Sequence, residues 1–422
     1  MNAPFDESPV NQGRPVSLTR TSAPSHSLSQ VEFIALIAIM MALTAISIDI
    51  MLPALPAIGE ALGVADPNNR QIVIISYVLG FSAGQLAYGR LSDRFGRKPV
   101  LMFGLAIFIA GSLVASLASS FAVLLIARTV QGLGAAAPRV IAVAIVRDLY
   151  VGRRMARIMS FTMTVFIIIP VLAPSIGQEL LQVGTWRISF DLMLIVGIIV
   201  AVWAGLRLPE TKQQGAAGAP LSLPASLKLA LETPQTIGYA VSAGFIFGCL
   251  MSYVSSAQQV FTDVFDLGAD FPIAFGAIAS LMAFAAAANA SLVERLGMRP
   301  VSHTSLSLFV AVSALLVVVV AEGGASVMVF IAIMATLFFL FGLIAPNFNA
   351  LAMEPQGHNA GMASSIIGFI STGLGALSGG FVGHLFDGTV LPLALGFFCL
   401  SLVSLAIVVG VEGPSRIYRP TS

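Results

Sequence analysis

The chain has 422 residues, of which 57% are hydrophobic and only 10% charged, and its mean hydropathy is +0.94. An ordinary soluble domain carries roughly 25% charged residues, so a water-soluble fold is excluded. The formal net charge of +1 is scattered through polar breaks between apolar runs, which excludes a nucleic-acid-binding face.

Residues 1–30 are rich in Pro, Ser and Thr and hold no apolar run of signal-peptide length, so they read as a disordered tail. A helix needs about 20 mostly apolar residues to cross a hydrocarbon core of about 30 Å. Such runs predict spans at 33–53, 70–89, 99–119, 121–146, 157–181 and 188–208, then at 234–257, 271–292, 300–321, 325–347, 359–383 and 390–411. Between the two sets, 209–233 holds Lys212, Lys228 and a Gly/Ala/Pro stretch and is too polar to span. The expected fold is an all-α integral membrane protein of twelve helices in two bundles, 31–208 and 234–411, with a linker at 209–233 and a short tail at 412–422. Cys249 and Cys399 lie inside apolar runs, which argues against a disulfide framework or a metal site.

Lys and Arg placement sets the orientation. With both termini in the cytoplasm, seventeen basic residues fall on the inner side, among them Arg90, Arg94, Arg97, Lys98, Arg147, Arg207, Arg295 and Arg299. Only Arg70 and Arg187 fall outside. The halves echo each other: the stretch from Leu91 to Val100 (LSDRFGRKPV) recurs, degraded, from Leu292 to Val301 (LVERLGMRPV), each after the second span of its half. Parallel repeats of this kind mark transporters that rock two bundles about a site at their interface.

A carboxylate inside a spanning helix costs at least about 2.5 kcal/mol, which makes it a functional candidate by default. Asp49 lies sixteen positions after Phe33, roughly 24 Å up the first helix, and Arg128 seven after Phe121, roughly 10 Å down the fourth, so the two reach similar depth. Arg139, eleven positions after Arg128, lies about 20° from it around the helix, and Gln131 within about 60°, giving one polar stripe. Arg139 either orients electron-rich substrate groups or reaches toward the cytoplasmic loops. Pro170 and Pro174 predict a kink in the fifth helix, near Gly177. Tyr253, Gln258 and Gln259, with Asn347 and Asn349, are either substrate contacts or interhelical hydrogen-bonding groups. Stretches rich in Met and Phe suit an adaptable apolar pocket or lipid-facing packing.

The run from Gly89 to Leu101 (GRLSDRFGRKPVL) resembles the signature loop of the major facilitator superfamily at every defining position. Arg128-Thr129-Val130-Gln131-Gly132-Leu133-Gly134 resembles that superfamily's second motif. Together with Asp49-Ile50-Met51-Leu52-Pro53 and Arg147-Asp148-Leu149, these resemble the bicyclomycin and chloramphenicol resistance (Bcr/CflA) branch of the drug:proton antiporters. In the fifth helix, Ala173-Pro174-Ser175-Ile176-Gly177-Gln178 keeps the proline and one glycine of the antiporter motif, which leaves both antiport and symport open.

The resemblance implies the major facilitator fold, a multi-pass protein of the bacterial inner membrane, a monomer needing no cofactor, and protons and a small molecule as its partners in the bilayer. It implies that the first and fourth helices line a central cavity, with Asp49 and Arg128 facing each other or sharing water in a proton-binding cycle; a fixed structural ion pair is the alternative. It implies a conformational latch of Gly89, Asp93, Arg94, Gly96 and Arg97, which Asp148 would join, with Asp93 accepting from basic neighbours or from a helix N-terminus of the other half.

Three functions follow: proton-coupled efflux of small amphipathic compounds including drugs, transport of a specific metabolite such as a sugar or amino-acid derivative on the same fold, or a membrane enzyme or receptor. The last lacks support: His26, His303, His358 and His384 are scattered without metal-ligand spacing, and no nucleotide-binding P-loop is present.

Overall fold

The computed structural model describes residues 28–150, 152–212, 223–323 and 326–413. The expected tails, up to residue 27 and from 414, and the Gly/Ala/Pro stretch of the linker at 213–222 lie outside the described residues. Twelve long helices follow in order: α1 (Gln30–Asp49), α2 (Ile72–Phe95), α3 (Arg97–Ser116), α4 (Phe121–Leu149), α5 (Gly152–Val183), α6 (Arg187–Arg207), α7 (Pro234–Gln259), α8 (Phe271–Leu296), α9 (Met298–Ala321), α10 (Val327–Met353), α11 (Ala360–His384) and α12 (Leu391–Glu412). Among the described residues, eleven helices are long and apolar enough to cross a membrane; a shorter apolar stretch, Ile168–Val183, belongs to α5.

Local chemistry sets the helix ends. Ser29, Ser120 and Ser326 cap α1, α4 and α10, each side chain accepting a hydrogen bond from the backbone N–H three residues on. Both copies of the repeated decapeptide turn at a glycine with positive φ, Gly96 at 103° and Gly297 at 87°, a conformation that excludes most side chains. Several ends shift, α2 running on to Phe95 and α10 to Met353, and the first span differs in kind. The first span does not run helical to residue 53: α1 stops at Asp49, and the chain continues through a 3₁₀ turn, Leu52–Ala54, into a short helix, Leu55–Ala61. Pro53 has no N–H to give the helix and disfavours α geometry at the residue before it.

α1 packs on α4, α5 and α6, and α2 and α3 pack on α4; in the second half α7 packs on α10, α11 and α12, and α9 and α8 on α10. The two groups meet where α2 lies against α11 and α5 against α8. Ionic contacts gather the ends. Glu32 at the start of α1 pairs with Arg207 at the end of α6 (2.7 Å), and Arg97 at the start of α3 with Asp148 at the end of α4 (2.8 Å). Arg299 at the start of α9 reaches Glu354 just past α10 (3.0 Å) and Glu412 at the end of α12 (2.9 Å). These ends define a basic end of the molecule.

Candidate functional site

A cavity of about 210 Å³ lies between the halves. α1 contributes Thr44 and Asp49, α2 Tyr77 and Gln85, α4 Arg139 and α5 Pro170; the other half contributes Met251, Val254, Phe275, Phe338 and Thr372, among others. Its wall is mostly apolar, with one acid and one base. Asp49 is 5% exposed, and its carboxylate has no hydrogen bond or ion pair among the described residues. It stands where α1 ends, and the break is tightly packed: Gly177 of α5 lies against the carbonyl oxygen of Ile50, which any Cβ at that position would strike. Gly177 thus holds α5 against the residue that follows Asp49. Pro170, about two turns closer to the helix start, reaches the cavity wall itself, and Pro174 between the two is buried.

The structure does not bring Arg128 and Asp49 together. Arg128 is fully buried outside the cavity wall, its Nε donating to the Val73 carbonyl (3.1 Å), one terminal nitrogen to the Ser47 carbonyl (3.0 Å) and the other to Gln131 Oε1 (2.6 Å). Its guanidinium lies 4.3 Å from the centroid of the Tyr77 ring. Equal depth was the basis for expecting the two charges to face each other, but depth does not fix azimuth. Tyr77 covers the face of α4 at the level of Arg128, and only further along the same face does Arg139 reach the cavity.

The other residues singled out from sequence fall into three places. Gln131, expected on a substrate-facing stripe, sits between helices, donating to Ser112 Oγ (2.8 Å) and Met193 Sδ (3.3 Å) while accepting from Arg128. Asn347 ties α10 to α8 through Asn289 (2.7 Å), and Asn349 is exposed near the basic end. Tyr253 and Gln258 are buried on α7 outside the cavity wall. Gln259 belongs to an amide bridge between the halves at the end opposite the basic one. Gln71 Nε2 donates to Gln259 Oε1 (2.5 Å) and to the Gly383 carbonyl (3.0 Å), and Gln259 Nε2 donates to Asn68 Oδ1 (3.0 Å). Asn68 in turn donates to the carbonyls of His384 (3.0 Å) and Phe386 (2.7 Å). These amides bond one another and three carbonyls across the seam, with Gln71 Oε1 left without a partner among the described residues.

The signature loop is a compact ionic cluster. Arg97 pairs with Asp93 (2.5 Å) and Asp148 and donates to Ser92 Oγ (2.8 Å). Asp93 also approaches Gly361 at the start of α11, and Gly89 lies against Ser365 on that helix. Arg94 stacks over Phe95 at 5.1 Å, and its carbonyl accepts from Lys212 Nζ (2.8 Å). Glu210, which sequence reading passed over as the start of a linker, accepts from the backbone N–H of Arg97 (2.9 Å), Lys98 (3.1 Å) and Lys212 (2.9 Å). Partial burial pushes its carboxyl up, but these amides outweigh that and hold it below the usual glutamate range. Its signal in the sequence was only an acid two residues past a spanning run.

Two bundles about a central, mostly apolar cavity with a lone embedded carboxylate define a membrane transporter of the alternating-access kind. The Major Facilitator Superfamily model matches residues 37–380. The chain is 30% identical to a chloramphenicol resistance protein of Pseudomonas aeruginosa, covering 89% of this chain and 88% of that one. It is 28% identical to a bicyclomycin resistance protein homolog of Haemophilus influenzae, covering 86% and 91%. The D-xylose-proton symporter structure superposes with a TM-score of 0.74 at 13% identity over 90% of this chain and 97% of that one. The partially occluded, inward-open xylose transporter XylE from E. coli gives 0.71 at 11% identity over 90% and 96%. This chain belongs to the Major Facilitator Superfamily.

Proposed function

We propose that this transporter is a proton-coupled exporter of small amphipathic compounds, drugs among them, acting from the cytoplasmic side of a bacterial inner membrane. The observation that carries this reading is Asp49: a buried carboxylate without a hydrogen-bond or ion-pair partner among the described residues, in the wall of a cavity shared by both halves. A carboxylate at such a site can carry a proton and hand it to water that reaches the cavity. Substrate and proton then compete for one cavity, and each turnover exchanges one for the other. Arg139 and the hydroxyl and amide groups of Thr44, Gln85 and Thr372 give the substrate polar handles on an otherwise apolar wall. The resistance proteins named above support export of drugs as the direction and cargo.

The excess of Lys and Arg at the basic end supports its assignment to the cytoplasm, with both termini there. The Arg97 cluster beside α11 then acts as the cytoplasmic latch, holding that end until the bundles rock. In inside-out vesicles with an imposed pH gradient, Asp49→Asn is expected to abolish gradient-driven accumulation of labelled chloramphenicol at normal expression. Wild-type accumulation by that variant would remove the proposal. Accumulation of one sugar or amino-acid derivative in place of drugs would redirect it to a specific metabolite.

A further inference from the structure

Two tyrosine hydroxyls near the cavity, those of Tyr77 and Tyr253, are fully buried and have no hydrogen-bond partner among the described residues. A buried hydroxyl without a partner loses its hydration and regains nothing, so such groups ask for an explanation. Tyr253 sits on α7, in the half opposite Asp49. Its ring is fixed by stacking on Phe275 (5.3 Å between centroids, 15°) and by edge contacts with Phe338 (4.9 Å, 71°) and Phe261 (6.4 Å, 90°). Phe275 and Phe338 themselves line the cavity with Asp49, as do Met251 and Val254 on either side of Tyr253 in sequence. Tyr77 rides on Asp49's own half, in the cavity wall and beneath Arg128.

We infer that Tyr253 is a positioning residue for proton release: as the halves rock, its hydroxyl donates a hydrogen bond to the Asp49 carboxylate and favours the ionised form. The bond that breaks is the O–H of the Asp49 carboxylic acid, whose proton leaves to water on the side to which the cavity then opens. Tyr253 keeps its own proton throughout. Because the two residues belong to different halves, the hydrogen bond exists in one arrangement of the bundles and not in the other, which ties proton affinity to the rocking motion. Of the charged and titratable side chains facing Asp49, Tyr77 comes from α2 and Arg139 from α4, with Arg128 behind the Tyr77 ring. The described lining residues from α5, α7, α8, α10 and α11 carry no charge. None of these groups reports the relative position of the halves as a donor on α7 would.

The inference rests on Asp49 carrying the proton, and the test separates the two. The purified full-length protein in lipid is titrated by infrared difference spectroscopy, the carboxylic-acid band of Asp49 being assigned by its absence in Asp49→Asn. Tyr253→Phe keeps the ring and its aromatic contacts; it should raise the midpoint of that band by about one pH unit, a tenfold gain in proton affinity. It should also slow chloramphenicol export about tenfold and leave thermal stability unchanged or higher. An unshifted midpoint, or a variant that no longer folds, overturns the role given to the hydroxyl. No titrating band assignable to Asp49 at all would instead overturn the proton-carrier reading itself.

Discussion

Arg128 illustrates how a residue can be conspicuous in sequence and still be misread. Its three nitrogens reach carbonyls of α1 and α2 and the Gln131 amide, so the guanidinium works as a buried clamp joining three helices. Lysine carries the same charge on a single nitrogen and cannot make that planar fork. Arg128→Lys is therefore expected to leave two buried carbonyl or amide acceptors unpaired, at about 1–3 kcal/mol each, and to lower the melting temperature in detergent even where cavity residues are untouched. An unchanged melting curve would show that the clamp adds nothing. Asp49 was legible in the sequence because a carboxylate in an apolar run is costly anywhere in a bilayer. Two of the three partners of Arg128 were not, because they are main-chain oxygens 55 and 81 residues away, which leave no mark on residue type.

At the scale of helices and loops, twelve spans were readable to within a few residues, since apolar length and polar breaks are what a bilayer demands. The repeat was readable too, yet its second copy looks degraded: Met298 stands where the first copy has Arg97. The structure shows that the ionic cluster survives one residue later. Arg299 pairs with Glu354 and Glu412, and the Tyr239 hydroxyl joins by donating to Glu412 (2.7 Å). Glu210 in the first half and Glu412 in the second both close their cluster from just beyond or at the end of a sixth helix. Glu210→Gln should loosen the α2–α3 turn, since it replaces an anion at a helix N-terminus with a neutral amide.

The sign of its pH dependence follows from its depressed pKa: the ionised cap is intact at neutral pH and is lost as the pH falls through and below the usual carboxylate range. Amide hydrogen exchange at Arg97 and Lys98 should thus be slow in wild type at neutral pH, and faster in Glu210→Gln. Equal protection in the two proteins would remove the cap from the account. On the opposite side of the same half, Gly177→Val is expected to push α5 off Ile50 and to cut transport at least tenfold, because the clash is with backbone that cannot swing aside.

For the whole molecule, the two ends are closed by different chemistry. The basic end is held within each half by ion pairs, with Asp93 and Gly89 approaching α11 of the other half. The far end is joined across the halves by neutral amides: Gln71, Gln259 and Asn68 pair with one another and with three carbonyls at the end of α11. Neutral hydrogen bonds are insensitive to the charge state of the cavity and to salt, so this bridge can open and close without a titration step of its own. It was not visible in sequence, since Asn68 and His384 are 316 residues apart and amides near span ends are common.

If alternating access requires this end to part, tethering it must stop the cycle. Asn68 is half-buried and His384 exposed, and the Asn68 side chain bonds the His384 carbonyl, so cysteines at these two positions lie within reach of a short bis-maleimide. In a Cys399→Ser background, which removes the exposed native thiol and leaves Cys249 buried, the cross-linked Asn68→Cys/His384→Cys protein should fall to the transport background of empty vesicles. The same variant labelled with a monofunctional maleimide should retain most of its rate. Full transport by the cross-linked protein would show that substrate leaves without this end opening, and the rocking of one bundle against the other about the cavity would have to be replaced by a motion confined to the basic end.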